Sequence, residues 1–170
     1  MRDIKSVSKA DYSDEDWNLV AAAPMIASAI VSVSDDVGSG RDSEDEELTA
    51  FLDYFDTATE KHQDCQLILD VIEALRNRDT LEIEHKEMVF NFSLTQVERL
   101  DELLETVRDA TRMVGRTGDA SDLEAYSNFI YDAAEVVANA SKESRMILAK
   151  KVSTKEAFYL RRLRSILQLR

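Results

Sequence analysis

Three groups of side chains in this sequence have types and spacings that could do chemistry. The first is an acidic run: Asp35, Asp36, Asp42, Glu44, Asp45, Glu46 and Glu47, with Gly38 and Gly40 inside it. Hard divalent cations such as calcium or magnesium take six or more oxygen ligands, which clustered carboxylates on a turning backbone can supply. The spacing is not that of an EF-hand loop, and acids at a helix start also favour the helix dipole. The second is Glu82-x-x-His85, which on a helix puts both side chains on one face, as in di-iron carboxylate bundles. Such bundles need a second pair of this kind, and Thr59 rather than Glu stands three residues before His62. The third is the run from Thr154, where Lys155, Arg161, Arg162 and Arg164 alternate with Phe158, Tyr159, Leu160, Leu163, Ile166 and Leu167. A basic amphipathic helix suits an acidic protein groove or an anionic surface.

Nucleophilic chemistry finds little support. The chain has 1 Cys and 2 His, so no intramolecular disulfide and no cysteine-based zinc site can form. Cys65 has His62 three residues before it, but Leu67, Ile68 and Leu69 beside it describe a packed, reduced thiol. Gly38-Ser39-Gly40 lacks the preceding strand and the Gly-Lys-Ser/Thr ending of a phosphate loop. We therefore expect no enzyme and no catalytic residue.

Something must position these groups, and composition limits what it can be. Of 170 residues 44% are hydrophobic and 32% charged, a globular balance. Only 4 Gly and 1 Pro are present, too few turn formers for a sandwich or barrel. The net charge of −13 disfavours nucleic acid. The charge is uneven: residues 142–170 carry a net of +7, against −20 for the rest. The basic end either folds back onto acidic helices or faces an acidic partner, and its apolar residues favour the first. The longest uncharged run, Trp17 to Ser34, is 18 residues, contains Pro24, and follows an acidic flank. It is too short for a bilayer span and unlike a secretory signal, so we expect a cytoplasmic protein without an integral membrane segment. The basic helix leaves peripheral membrane contact open.

The elements follow from helix-start signatures, a Ser with an acid or amide three residues on: Ser13/Asp16, Ser43/Glu46, Ser93/Gln96, Ser121/Glu124 and Ser153/Glu156. Each opens an amphipathic run. A helix from Asp14 to Ser34 should break near Ala22–Ala23, before Pro24. Helices over about 44–61 and 62–78 follow, then a short piece from Leu81 to Phe92. A long helix, Leu94 to Val114, has a stripe that makes it the expected centre of the fold. Helices over 122–142 and 154–169 close the chain, the last docking through Phe158, Leu160, Leu163 and Leu167. The expected fold is all-α: a flexible segment over 1–12, then one compact bundle of about seven helices over 13–170.

Setting Glu44 against Glu156 puts Leu48, Phe51 and Phe55 on Leu160, Leu163 and Leu167, an echo of two pseudo-repeated halves. Each half has a small-residue helix, an acidic loop and a second helix. That shape resembles the TerB-like domain of tellurite-resistance and stress-response proteins, with Asp35-Asp36-Val37-Gly38 and Glu44 or Glu47 as the first copy. In the second copy Ser141-Lys142-Glu143 has lost the aspartates. The resemblance implies a divalent-cation site at Asp35, Asp36, Glu44 and Glu47, and a place in a membrane-associated stress assembly. The reading as a whole is a non-enzymatic module that binds another protein through Arg161, Arg162 and Arg164. The alternative is a divalent-cation-binding protein. The sequence leaves the oligomeric state open.

Overall fold

The computed structural model describes residues 6–34, 41–77, 97–140 and 154–169. Among them the chain forms α1 (Asp14–Ser34), α2 (Arg41–Lys61), α3 (Gln66–Arg76), α4 (Val97–Thr117), α5 (Ala120–Ala140) and α6 (Thr154–Ile166). A 3-10 turn, Lys9–Asp11, precedes them. The all-α expectation holds among the described residues, where six helices pack compactly. The expected piece Leu81–Phe92, with Glu82 and His85, lies outside the described residues, as do Leu94, Ser93 and Ser153.

The centre of the bundle is α1, not the 94–114 helix that the stripe suggested. Every other helix packs against both α1 and α5. From Val20 to Ser28 every side chain of α1 is buried. A helix that is apolar all round can only be stable when surrounded, and Ala21, Ala22, Ala23 and Ala27 let its neighbours come close. By contrast α4 is two-faced. Leu100, Leu103, Leu104, Val107, Ala110 and Val114 point inward, while Asp101, Glu102, Glu105, Asp109 and Arg112 are exposed. A clear stripe marks a helix with one wet side, so the clearest stripe does not identify the most buried helix.

The break expected before Pro24 does not occur; α1 runs through it. Proline lacks the N–H that would bond the carbonyl four residues back, here that of Val20. The hydroxyl of Tyr126, on α5, donates to that carbonyl at 2.7 Å in the buried core. One turn on, the Ser28 hydroxyl donates to the Pro24 carbonyl at 2.9 Å. The defect is repaired by a side chain from another helix, which is why α1 can continue. Tyr126 is fully buried, and burial raises its hydroxyl pKa well above the ordinary value, so it remains a donor.

Packing begins earlier than residue 13. Val7 is buried in the core, and the Ser6 hydroxyl and Val7 N–H donate to the Asp122 carboxylate at 2.8 and 3.2 Å. Gly118 makes room for this: a Cβ there would lie 3.0 Å from Asp122 and 3.2 Å from Val7. The cap at Ser13 forms, its hydroxyl accepting from Asp16 N–H at 3.1 Å. The other described caps shift. The first residue of α2 is Arg41, two residues before Ser43. In α5 the capping oxygen belongs to Asp119, which accepts from Ser121 and Asp122 N–H at 2.8 and 3.0 Å. Asp122 reaches back to Asp119 N–H at 3.4 Å, so the reciprocal pair is Asp119/Asp122 rather than Ser121/Glu124.

The repaired carbonyl gives a test by double-mutant cycle. Tyr126→Phe strands the Val20 carbonyl and should cost about 1–3 kcal/mol in urea unfolding. In a Pro24→Ala background, where residue 24 has an N–H to give, the same change should cost clearly less. Equal costs in both backgrounds would show that the hydroxyl does not serve the proline.

Candidate functional site

The basic helix α6 begins with an ordering problem that its sequence solves. Glu156, Tyr159, Leu160, Leu163 and Leu167 are buried, spaced 0, 3, 4, 7 and 11 along one face. Phe158, expected in that stripe, is 47% exposed; Tyr159 takes the inward place instead. The ring of Phe158 meets Tyr159 edge-on with centroids 5.2 Å apart. The Arg162 guanidinium lies over it, 5.8 Å from its centroid.

The three arginines expected to face a partner divide. Arg162 forms an ion pair with Asp101 of α4. Arg164 lies over the Tyr131 ring of α5, 5.6 Å from its centroid. Burial raises the Tyr131 phenol first, with Glu135 adding to it and Arg164 opposing. Arg161 is exposed on the outer side. The described part of the basic end, α6, thus lies against acidic and aromatic neighbours, while Arg161, Phe158 and the rim of Arg162 remain outward.

The acidic run is described only in part. Asp35 and Asp36 lie outside the described residues, and Glu44 is described by its backbone alone, in the first turn of α2. Glu47 is buried and accepts a hydrogen bond from the Ser32 hydroxyl of α1. Its place matches that of Glu156. Four, seven and eleven residues after Glu47 come buried Phe51, Tyr54 and Ala58; the same steps after Glu156 reach Leu160, Leu163 and Leu167. A register with Glu47 on Glu156 thus sets buried side chains on buried side chains along both helices. Among the described residues no group of three or more His, Cys, Asp or Glu side chains is arranged to hold a metal.

Burial weighs against a nucleophilic Cys65/His62 pair. Cys65 is half-buried at the start of α3, and burial raises its thiol pKa, which keeps it protonated. His62 sits in the turn between α2 and α3 with its ring edge-on to Phe129, 6.1 Å between centroids. Its Nε2 is buried without a hydrogen-bond partner. Burial lowers its pKa, Lys61 lowers it further, and Asp132 opposes both. Beside it, Lys61 and Asp132 pair at 2.6 Å and the Tyr54 hydroxyl reaches Asp132 at 3.4 Å.

Sequence reasoning missed Asp122, a buried carboxylate holding the chain start, and the exposure of Phe158. The Asp119-x-x-Asp122 spacing was a usable signal for the first, since an aspartate caps as well as a serine. Close by, Tyr12 has its hydroxyl pushed up to about 12 by burial and then by Asp122. A shallow groove of about 690 Å³ between α1 and α4 is lined by Leu19, Asp109, Arg112, Met113, Gly115 and Arg116. It is open, and Arg112 is occupied by Asp109 at 3.3 Å.

No known family model, curated protein or solved structure matches the chain. Among the described residues no helix is long and apolar enough to cross a membrane.

The histidine gives a pH prediction. Its folded pKa lies below the unfolded value of about 6.5, so the unfolded chain takes up the proton first. Its contribution to stability is complete above about 6.5 and is lost as pH falls through that value to the lower folded pKa. Thermal melting should therefore drop as pH falls below about 6.5 in the wild type, and less in His62→Asn. Parallel curves would show that His62 is indifferent to folding.

Proposed function

We propose that the chain is a non-enzymatic helical module that binds another protein, and that the outer face of α6 is the surface it offers. The observation that carries this is Phe158, 47% exposed on a basic helix of a chain with a net charge of −13. An exposed aromatic beside arginines has the composition of an interface centre, and the charge of Arg161 and Arg162 selects an acidic partner. Setting this in a stress-response or membrane-associated assembly rests on the TerB resemblance alone. The matching burial of Glu47 and Glu156 supports two related halves, in a register three residues from the one the sequence suggests.

The test compares proteins captured by the wild type with those captured by Phe158→Ala and Arg161→Glu. Both changes are at exposed positions, so melting should be nearly unchanged, since exposed pairs are worth about 0–1 kcal/mol. A partner captured by the wild type and lost by both variants supports the reading. Identical capture by all three overturns it.

A second reading has one observation in its favour: Glu47, a buried carboxylate in the second turn of α2 that accepts a hydrogen bond from Ser32 of α1. If it belongs to a divalent-cation site with Asp35, Asp36 and Glu44, calcium or magnesium should bind in calorimetry. The heat should then vanish in Asp35→Asn with Asp36→Asn. A wild type that takes up neither ion ends this reading.

A further inference from the structure

The stretch Ser6–Tyr12, ahead of α1, is built as a unit of its own. The Ser8 N–H and hydroxyl donate to the Asp11 carboxylate at 2.9 and 3.0 Å, and the Asp11 N–H donates back to the Ser8 carbonyl at 3.0 Å. Two carboxylates of the bundle hold this unit from outside. Asp122 of α5 accepts from the Ser6 hydroxyl on one oxygen and from the Val7 N–H on the other. Asp70 of α3 accepts from the Lys9 N–H at 2.8 Å. One aliphatic side chain, Val7, enters the core, against the bare backbone of Gly118. Against the same stretch lies the chain's single cysteine, Cys65. The Ser6 hydroxyl that bonds Asp122 also meets the Cys65 thiol, and the Tyr12 hydroxyl lies within electrostatic reach of both.

We propose that Ser6–Tyr12 is a strap that swings off the bundle as a unit while the helices stay folded, with Asp122 as its clasp, and that its opening controls access to Cys65. Its hold is slight: one buried valine, and hydrogen bonds to carboxylates that water can take over when the strap leaves. The helix start of α5 does not depend on the strap, since Asp119 caps it and its own N–H also donates to Asp122. Opening changes the thiol as well as uncovering it. In the closed form burial raises the thiol pKa first; the Ile68 N–H, the Ser6 hydroxyl and the Leu67 N–H oppose this, and Asp122 adds to it. The departing strap takes part of the cover away and leaves the two N–H groups of the first turn of α3, which favour the thiolate. The strap therefore sets both the exposure and the reactivity of Cys65, independently of what α6 binds.

Reaction of the full chain with an aromatic disulfide, dithiobis(nitrobenzoate), tests this. The Cys65 thiolate attacks one sulfur of the reagent, the reagent's disulfide breaks, and the released nitrothiobenzoate is read by absorbance. The folded wild type should react far more slowly than the chain in denaturant. Its rate should rise little with urea below the unfolding transition, because opening a strap exposes little surface. Asp122→Asn and Val7→Ala should each speed the reaction by about tenfold or more. Val107→Ala, a core change in α4 well before Gly118, lowers global stability and should leave the rate in dilute urea unchanged. Circular dichroism confirms that each variant is folded. A folded wild type that reacts as fast as the unfolded chain has no strap over its thiol and overturns the proposal. An unchanged rate in both Asp122→Asn and Val7→Ala overturns it too. So does a rate that climbs steeply with urea from the start and rises as much with Val107→Ala as with Asp122→Asn, since the thiol then answers to global unfolding.

Discussion

A proline in the most enclosed helix of the bundle leaves one carbonyl that its own helix cannot satisfy. A buried carbonyl without a partner costs about 1–3 kcal/mol, a large share of the stability of a domain this size. The Tyr126 hydroxyl supplies the missing bond to Val20. That bond fixes more than one atom. It sets the height and rotation of α5 against α1, the two helices on which all the others rest. From that placement Phe129 stacks with Tyr54 of α2 at 5.8 Å, and Asp132 meets Lys61 at 2.6 Å. The seat of α2 and the α2–α3 turn therefore depends on the registration that the tyrosine imposes.

Charge is settled in layers around that centre. The excess of acid in the first 141 residues and the basic end are partly reconciled within the molecule, through Arg162 on Asp101 and Arg164 on Tyr131. Exposed pairs of this kind contribute about 0–1 kcal/mol each. They orient α6 rather than hold it. Holding it falls to Tyr159, Leu160, Leu163 and Leu167, each of which contributes about 1.5–3 kcal/mol on full burial.

The helical class was legible because few breakers and recurrent helical spacing agree. The inward residues Phe51, Phe55, Leu104, Val107, Phe129 and Leu163 could be read from spacing alone. Rank in the fold could not. An amphipathic stripe records that a helix has a wet side, so it favoured 94–114 over α1, whose alanines and serines give no stripe because no side of its centre is wet. The uninterrupted passage through Pro24 was equally hidden, since the repairing hydroxyl lies 106 residues away in sequence. Caps shifted because several side chains near a helix start can accept the same N–H groups, and the choice of Asp119 over Ser121 is made by the neighbouring chain at Ser6 and Val7. Of the site residues, the arginines of α6 were legible as a group. Which of them turn inward was not, because that depends on what α4 and α5 present to them.

The exposure of Phe158 follows from the same logic. Successive residues in a helix advance by about 100°, so a face holding Leu160, Leu163, Leu167 and Glu156 puts position 158 roughly opposite its centre. Arg161, Arg162 and Ser165 share that outer side, while Arg164 falls at the edge of the buried face and reaches Tyr131. Burying Phe158 would require rotating α6 by about half a turn, which would expose three leucines and bring Arg161 and Arg162 into the core. No cost of an exposed ring approaches that of two buried guanidinium groups. The outward ring is thus fixed by the inward leucines. The arginine stacked on it and the acidic flank of α4 beside it turn that constraint into a surface with a defined order of charge.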